Sequence, residues 1–167
     1  IVGNRQNAEM IADIIRQLRV KNPDLPVVFD PVLANSNGDG LSTDDPALAL
    51  TPLYACATVI TPNLNEANRL CGADKSPEQQ ADLLLARGCD HVLLKGGHGP
   101  DDKAVINRWY AKDGQRDSWA WTRYPGDFHG SGCTLAAALS GYLAQKLSVR
   151  DAMMAAQRYC QTALQNA

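Results

Sequence analysis

The chain has 167 residues, of which 45% are apolar, and a formal net charge of −2 at pH 7. This length and composition suit one domain with a substantial core, and the charge is neither basic enough for nucleic-acid binding nor biased enough for disorder. The longest apolar stretches are far shorter than a membrane span, so neither nucleic acid nor a membrane is an expected partner.

The cysteines are scattered along the chain, and none of them forms a Cys-x-x-Cys pair. An odd, dispersed set is typical of reduced thiols in a cytoplasmic protein rather than of a disulfide framework. No quartet of ligands has the spacing of a zinc site. The five residues are Cys56, Cys71, Cys89, Cys133 and Cys160.

The first residues have the pattern of a strand end followed by a helix. The chain does not begin with methionine, and a domain rarely opens on two residues of a strand, so we expect this sequence to be the later part of a longer chain. The next residues predict a helix over about 7–20 with Asn7 as its N-cap. Its apolar face consists of Ile11, Ile14, Ile15 and Leu18.

Beyond this helix, short apolar strands alternate with helical segments. The strands are predicted over 26–30, 57–61 and 91–95. The helices are predicted over 47–56 with an interruption at Pro52, and over 65–72, 76–88, 131–146 and 149–165. A hairpin is expected around 113–115, and a mobile loop over 33–45. Apolar strands alternating with helices predict an α/β fold whose mostly parallel sheet is covered on both faces.

Polar residues follow all three predicted parallel strands. The first strand ends at Asp30, the second at Thr61 and Asn63 with Glu66 one turn later, and the third at Lys95. Each has a structural alternative, namely a turn residue, a capping box or a solvated strand end. Because ligands bind at the carboxyl ends of such strands, we expect these side chains to converge on one edge of the sheet.

A glycine-rich turn leads directly into the helix predicted at 131–146, with the sequence Gly130-Ser131-Gly132-Cys133. Glycines let backbone N–H groups face an anion, and a helix N-terminus adds donors and partial positive charge. The spacing excludes a Walker loop, a dinucleotide-binding loop and a nucleophile elbow. An anion hole and an ordinary glycine turn both fit. Because a helix N-terminus favours the thiolate, Cys133 is either a proton acceptor or a small buried residue.

Four segments together resemble one known family. VVFDPV, VITPNLNEA, LLKGGH and HGSGCTLAAAL occur in the order and approximate spacing of the hydroxymethylpyrimidine and phosphomethylpyrimidine kinases of the ribokinase-like superfamily. This resemblance implies a three-layer α/β/α fold whose N-terminal part is missing here, with 1–167 as a single kinase domain that carries the ATP site. It also implies phosphorylation of hydroxymethylpyrimidine and its monophosphate in thiamine biosynthesis.

The resemblance implies catalytic and substrate-binding residues. Gly130, Ser131 and Gly132 match the anion hole of the family, with serine in place of the usual threonine. Cys133 matches the proposed base, where most ribokinase-like enzymes have an aspartate, and it lies beside the substrate. Val32 matches a residue that lines the pyrimidine pocket.

The resemblance also implies residues for the cofactors ATP and Mg²⁺. Asp30 and Glu66 match acids that hold the metal, Glu66 through water. Asn63 belongs with Glu66 to an Asn-x-x-Glu element that holds Mg²⁺ through water in the superfamily, and we expect Asn63 and Thr61 to belong to the nucleotide site. Lys95 matches a residue near the ATP phosphates.

Two departures from the family keep other functions open. Asn35 stands in the region where the family has a lysine, and the segment that carries much of the substrate site in the family precedes Ile1. The alternatives are a non-catalytic nucleotide- or vitamin-sensing module, or a pyridoxal, pyridoxine or sugar kinase, against which Cys133 argues. The family resemblance further implies a homodimer, and the dispersed cysteines favour a cytoplasmic location.

Overall fold

The computed structural model describes residues 1–33, 44–97, 103–126 and 128–166. The helices are α1 (Arg5–Lys21), α2 (Pro46–Ala49), α3 (Thr51–Tyr54), α4 (Leu64–Cys71), α5 (Pro77–Ala86), α6 (Ser131–Ala144) and α7 (Val149–Gln165). The strands are β1 (Val28–Phe29), β2 (Val59–Ile60), β3 (His91–Leu94), β4 (Ala104–Ala111) and β5 (Arg116–Thr122). This order confirms the predicted alternation and the predicted hairpin.

The strands form one sheet in the order β1-β2-β3-β4-β5. β1, β2 and β3 pair in parallel, whereas β4 is antiparallel to both β3 and β5. β5 therefore runs in the same direction as the first three strands, and the mostly parallel sheet is confirmed. β1 and β2 are each only two residues long, shorter than predicted, and at their ends Pro31 and Pro62 lack the N–H that would continue a ladder.

Helices cover both faces of the sheet. Along β3, Val92 and Leu94 pack into a core cluster with residues of α1, α3, α4 and α5, while Leu93 packs into a second cluster with α6 and α7. Side chains of a strand alternate between its two faces, so each helical layer receives every second residue. The result is the predicted three-layer α/β/α arrangement.

Helix α1 differs from its prediction at its start and on its apolar face. It begins at Arg5 because Asn4, not Asn7, is the N-cap, and the side chain of Asn4 accepts a hydrogen bond from the Asn7 N–H. The buried residues are Ala8 and Ala12, whose small side chains let the helix lie close against α3. Of the predicted core face, three residues are exposed and one is partly buried against the core: Ile11, Ile14 and Leu18, and Ile15.

The other helix ends follow recognisable capping signals. Pro52 belongs to the first turn of α3, so the break between α2 and α3 falls at Leu50 rather than at the proline. α5 begins after Ser76 with Pro77 in its first turn, as predicted. Among the described residues, no helix is both long enough and apolar enough to cross a membrane. Most of the loop predicted at 33–45, including Asn35, lies outside the described residues.

Candidate active site

A cavity of about 660 Å³ opens at the carboxyl ends of β1, β2 and β3. The residues directly after these strands form one side of it, and the first turn of α6 forms another. Nearly all the site residues predicted from the sequence therefore lie in one place. Those that line the cavity are Asp30, Val32, Asn63, Glu66, Lys95, Gly130, Ser131, Gly132 and Cys133.

An ion pair between Lys95 and Asp30 lies at the centre of this wall. The Lys95 Nζ is 2.8 Å from Asp30 Oδ1, and each side chain is only 14% exposed. The hydroxyl of Thr61 donates to the same carboxylate oxygen at 2.7 Å, and Thr61 is fully buried. Thr61 is absent from the lining of the cavity, and its hydrogen bond holds Asp30 in place.

Glu66 belongs to a capping box and to the cavity at the same time. Its Oε2 accepts from the Asn63 N–H at 2.7 Å, and the Asn63 Oδ1 accepts from the Glu66 N–H at 2.8 Å. Burial raises the pKa of the Glu66 carboxyl, the positive charge of Lys95 and the Asn63 N–H oppose this shift, and Asp30 adds to it. The capping box uses one oxygen of Glu66, so the second oxygen remains available to a ligand.

The first turn of α6 faces the ion pair. Gly130 has a φ of +82°, a conformation that favours glycine, and no side chain among the described residues caps the helix. A Cβ atom at Gly132 would lie 3.1 Å from Lys95 Nζ and 3.9 Å from Asp30 Oδ2. The backbone N–H groups of this turn and the ammonium group thus border the same space, as an anion site requires. Cys133 is exposed, so the alternative that it is a small buried residue is wrong.

The acids of the cavity suit a magnesium ion held mainly through water and phosphate. Among the described residues, Asp30 Oδ2 and Glu66 Oε1 accept no hydrogen bond, whereas Asp30 Oδ1 and Glu66 Oε2 do. The described residues contain no group of three or more metal-binding side chains. Mg²⁺ is commonly held by one or two carboxylates together with waters and the phosphates of a substrate, so this donor set fits it.

Several cavity residues were not found by sequence reasoning. Arg69 follows Glu66 by three positions on α4, and this helical spacing was the available signal. Asn107 interrupts an otherwise largely apolar strand, which is a weaker signal. Other members come from β5 and α7, far away in sequence, and include Trp121, Gln157 and Cys160.

Comparisons with known proteins agree with this geometry. The family model described as phosphomethylpyrimidine kinase matches residues 1–167. A hydroxymethylpyrimidine/phosphomethylpyrimidine kinase of Bacillus subtilis is 31% identical over 171 residues, which cover 98% of this chain and 62% of that protein. A putative pyridoxine kinase of Staphylococcus epidermidis is 33% identical over 147 residues, which cover 83% of this chain and 52% of that protein.

A solved structure with the same fold is the pyridoxal kinase of Staphylococcus aureus in complex with ADP. It superposes with a TM-score of 0.82 at 26% identity, and the match covers 99% of this chain and 61% of that one. The chain thus spans about three fifths or less of the length of each of these proteins.

Proposed function

Because the chain belongs to the phosphomethylpyrimidine kinase family, we propose that it binds ATP and transfers the terminal phosphoryl group to hydroxymethylpyrimidine and then to its monophosphate. In this proposal, residues 1–167 act as one kinase domain that carries the ATP site. One observation carries the proposal: the first turn of α6, which no described side chain caps, lies beside the Lys95 ammonium group, so that a Cβ atom at Gly132 would be 3.1 Å from Lys95 Nζ.

The phosphates of ATP bind at the first turn of α6 beside Lys95. Phosphoryl transfer asks a protein mainly for positioning and for stabilisation of charge on the phosphate oxygens. The N–H groups of Gly130, Gly132 and Cys133 supply fixed donors, whereas the Ser131 N–H donates to the Phe128 carbonyl at 3.4 Å. The dipole of α6 adds partial positive charge. Lys95 supplies a full charge, which its ion pair with Asp30 holds in one place.

Asp30 and Glu66 would hold Mg²⁺, in part through water, with the oxygens that accept no hydrogen bond among the described residues. When bound, Mg²⁺ neutralises charge on the phosphate oxygens during transfer. Asn63 sets the position of Glu66 through the capping box, and Thr61 sets that of Asp30. Each acid is therefore oriented by a neighbour from β2 or the residues that follow it.

The acceptor hydroxymethyl group lies between Val32 and Cys133, which both line the cavity. Cys133, in its thiolate form, accepts the proton as the substrate O–H bond breaks. The same oxygen forms the new bond to phosphorus, and the bond between this phosphorus and the leaving oxygen of ADP breaks. A base at this place typically contributes about 10²–10⁴-fold to the rate.

The direct test is an assay of ADP formation by the purified chain with ATP, Mg²⁺ and hydroxymethylpyrimidine. The proposal predicts ADP formation that depends on the pyrimidine and is lost in Lys95→Met. Binding of ATP without any transfer would instead support the non-catalytic module. Absence of ATP binding would contradict the proposal altogether.

Pyridoxal or pyridoxine phosphorylation is a second candidate function. It is favoured by the similarity to the putative pyridoxine kinase of Staphylococcus epidermidis and to the pyridoxal kinase of Staphylococcus aureus. Both types of substrate carry a hydroxymethyl group on a nitrogen-containing aromatic ring, so one site suits either. The ratio of kcat/KM for hydroxymethylpyrimidine and pyridoxal, measured on one preparation, separates the two functions.

A further inference from the structure

A network of hydrogen-bonded, buried amide groups, here called the amide network, lies in the wall of the cavity near Lys95. The Gly96 N–H donates to Asn107 Oδ1 at 2.8 Å, and Asn107 Nδ2 donates to Gln157 Oε1 at 2.8 Å. The indole N–H of Trp121 donates to the same Gln157 oxygen at 2.9 Å, and Gln157 Nε2 donates to the Met153 carbonyl at 3.0 Å. Asn107 and Gln157 are 7% and 2% exposed.

The donors and acceptors of the amide network allow only one orientation of each amide. Trp121 can only donate and the Met153 carbonyl can only accept, so the oxygen and nitrogen of Gln157 cannot be exchanged. Asn107 is fixed in turn, because its nitrogen meets the Gln157 oxygen and its oxygen meets the Gly96 N–H. A buried amide network in which every partner is satisfied is rigid.

At one end of the amide network, Asn107 holds the backbone that carries Lys95. The paired register of β3 and β4 ends at Leu94 and Arg108. Beyond this point the Asn107 side chain takes over as the partner of the Gly96 N–H. Gly96 lies so close to β4 that a Cβ atom there would be 2.1 Å from the Ile106 carbonyl oxygen. Lys95 is therefore anchored by the residue that follows it.

The other end of the amide network is Gln157 on α7, and this helix also contacts the proposed anion hole. Cys160 follows Gln157 by three positions, so the two side chains share a face of the helix. The Cys160 thiol lies 3.9 Å from the Ser131 carbonyl oxygen, in the first turn of α6. One face of α7 thus contacts both parts of the phosphate site.

We propose that Asn107 and Gln157 are positioning residues that set the distance between the Lys95 ammonium group and the first turn of α6. This inference rests on the proposed function, since it assigns the two amides a role in phosphate binding. They act through Lys95 rather than by touching the nucleotide. Loss of either amide lets the Lys95 strand end shift relative to α7.

The test is a double-mutant cycle on the affinity for a non-hydrolysable ATP analogue, measured by calorimetry. Gln157→Met keeps the side-chain volume but removes the amide, and we expect it to weaken binding about 10-fold, because a charge-assisted contact is lost. In a Lys95→Met background the same substitution should change the affinity less than about 2-fold, because the group through which it acts is absent. An equal loss in both backgrounds overturns the inference.

A matched control exists in the layer formed by α4 and α5. Gln80 is also 2% exposed and donates to Asn68 Oδ1 at 2.7 Å, yet neither residue lines the cavity. Gln80→Met should lower stability without changing the affinity for the analogue. Should Gln157→Met fail to fold, Asn107→Ala removes the amide at the other end of the network and is expected to behave in the same way.

The outcomes separate this inference from the proposed function. If the unmodified chain does not bind the analogue, the proposed function fails. If Lys95→Met weakens binding but neither Gln157→Met nor Asn107→Ala does, the proposed function stands and the positioning role is wrong.

Discussion

Replacing Gly132 by alanine should separate binding from stability. The added methyl group would lie 3.1 Å from Lys95 Nζ and 3.9 Å from Asp30 Oδ2. The nearer atom is the end of a flexible side chain, and Gly132 does not have a left-handed φ, so the fold can accommodate the change. The methyl group nevertheless occupies the space between the ammonium group and the N–H groups of α6.

The two effects have opposite signs. Alanine in place of glycine within a helix stabilises by up to about 0.5–1 kcal/mol, which raises Tm by about 1–4 °C in a protein of this size. A phosphate that must withdraw from Lys95 loses one charge-assisted hydrogen bond, about 1.5–3 kcal/mol. The dissociation constant of an ATP analogue should therefore rise about 10- to 150-fold.

Gly141 provides the control within the same helix. It is exposed, and a Cβ atom there would have no neighbour within 4 Å. Calorimetric titration with the analogue and thermal unfolding should be compared for Gly132→Ala, Gly141→Ala and the unmodified chain. Both variants should be at least as stable as the unmodified chain, and only Gly132→Ala should bind weakly. Equal affinity of the two variants would refute the argument that this turn binds phosphate.

Three further substitutions test other parts of the site. Glu66→Gln should make analogue binding less dependent on Mg²⁺ in calorimetric titrations, although glutamine still accepts the Asn63 N–H. Burial raises the pKa of Glu66 above 4.5, so the folded state holds this proton more tightly than the unfolded state does. The unmodified chain should therefore lose stability relative to Glu66→Gln as the pH rises from about 4.5 to neutral. Urea unfolding at several pH values measures this, and a difference in the free energy of unfolding that stays constant with pH would contradict it. Cys133→Ala should lower kcat while leaving analogue affinity unchanged, and full turnover at saturating substrates would exclude the base role. Gly96→Ala should strongly lower stability in urea, because the methyl group meets the Ile106 carbonyl, and unchanged stability would show that β3 and β4 can separate here.

The order of elements could be predicted because its signals are local. Ser76 and Pro77 mark the start of α5, and the alternation of strands and helices gives the layers. The convergence of Asp30, Glu66 and Lys95 was also predictable, since parallel strands end at one edge of the sheet.

The features that sequence reasoning missed depend on contacts between distant residues. α1 buries Ala8 and Ala12 instead of its isoleucines, because close packing against α3 needs small side chains. Thr61 follows a strand just as Asp30 does, yet its side chain lies beneath that acid. Asn107 and Gln157 are 50 positions apart, so nothing local indicates their hydrogen bond.

The central claim is that the phosphates of ATP bind at the first turn of α6 beside Lys95. Amide NMR of the ¹⁵N-labelled chain during titration with ADP and Mg²⁺ tests this most directly, since it reports each backbone N–H separately. We expect the largest shifts at 130–133, together with Gly96, whose N–H follows Lys95. Saturable shifts elsewhere, with the amides of 130–133 unchanged, would contradict it.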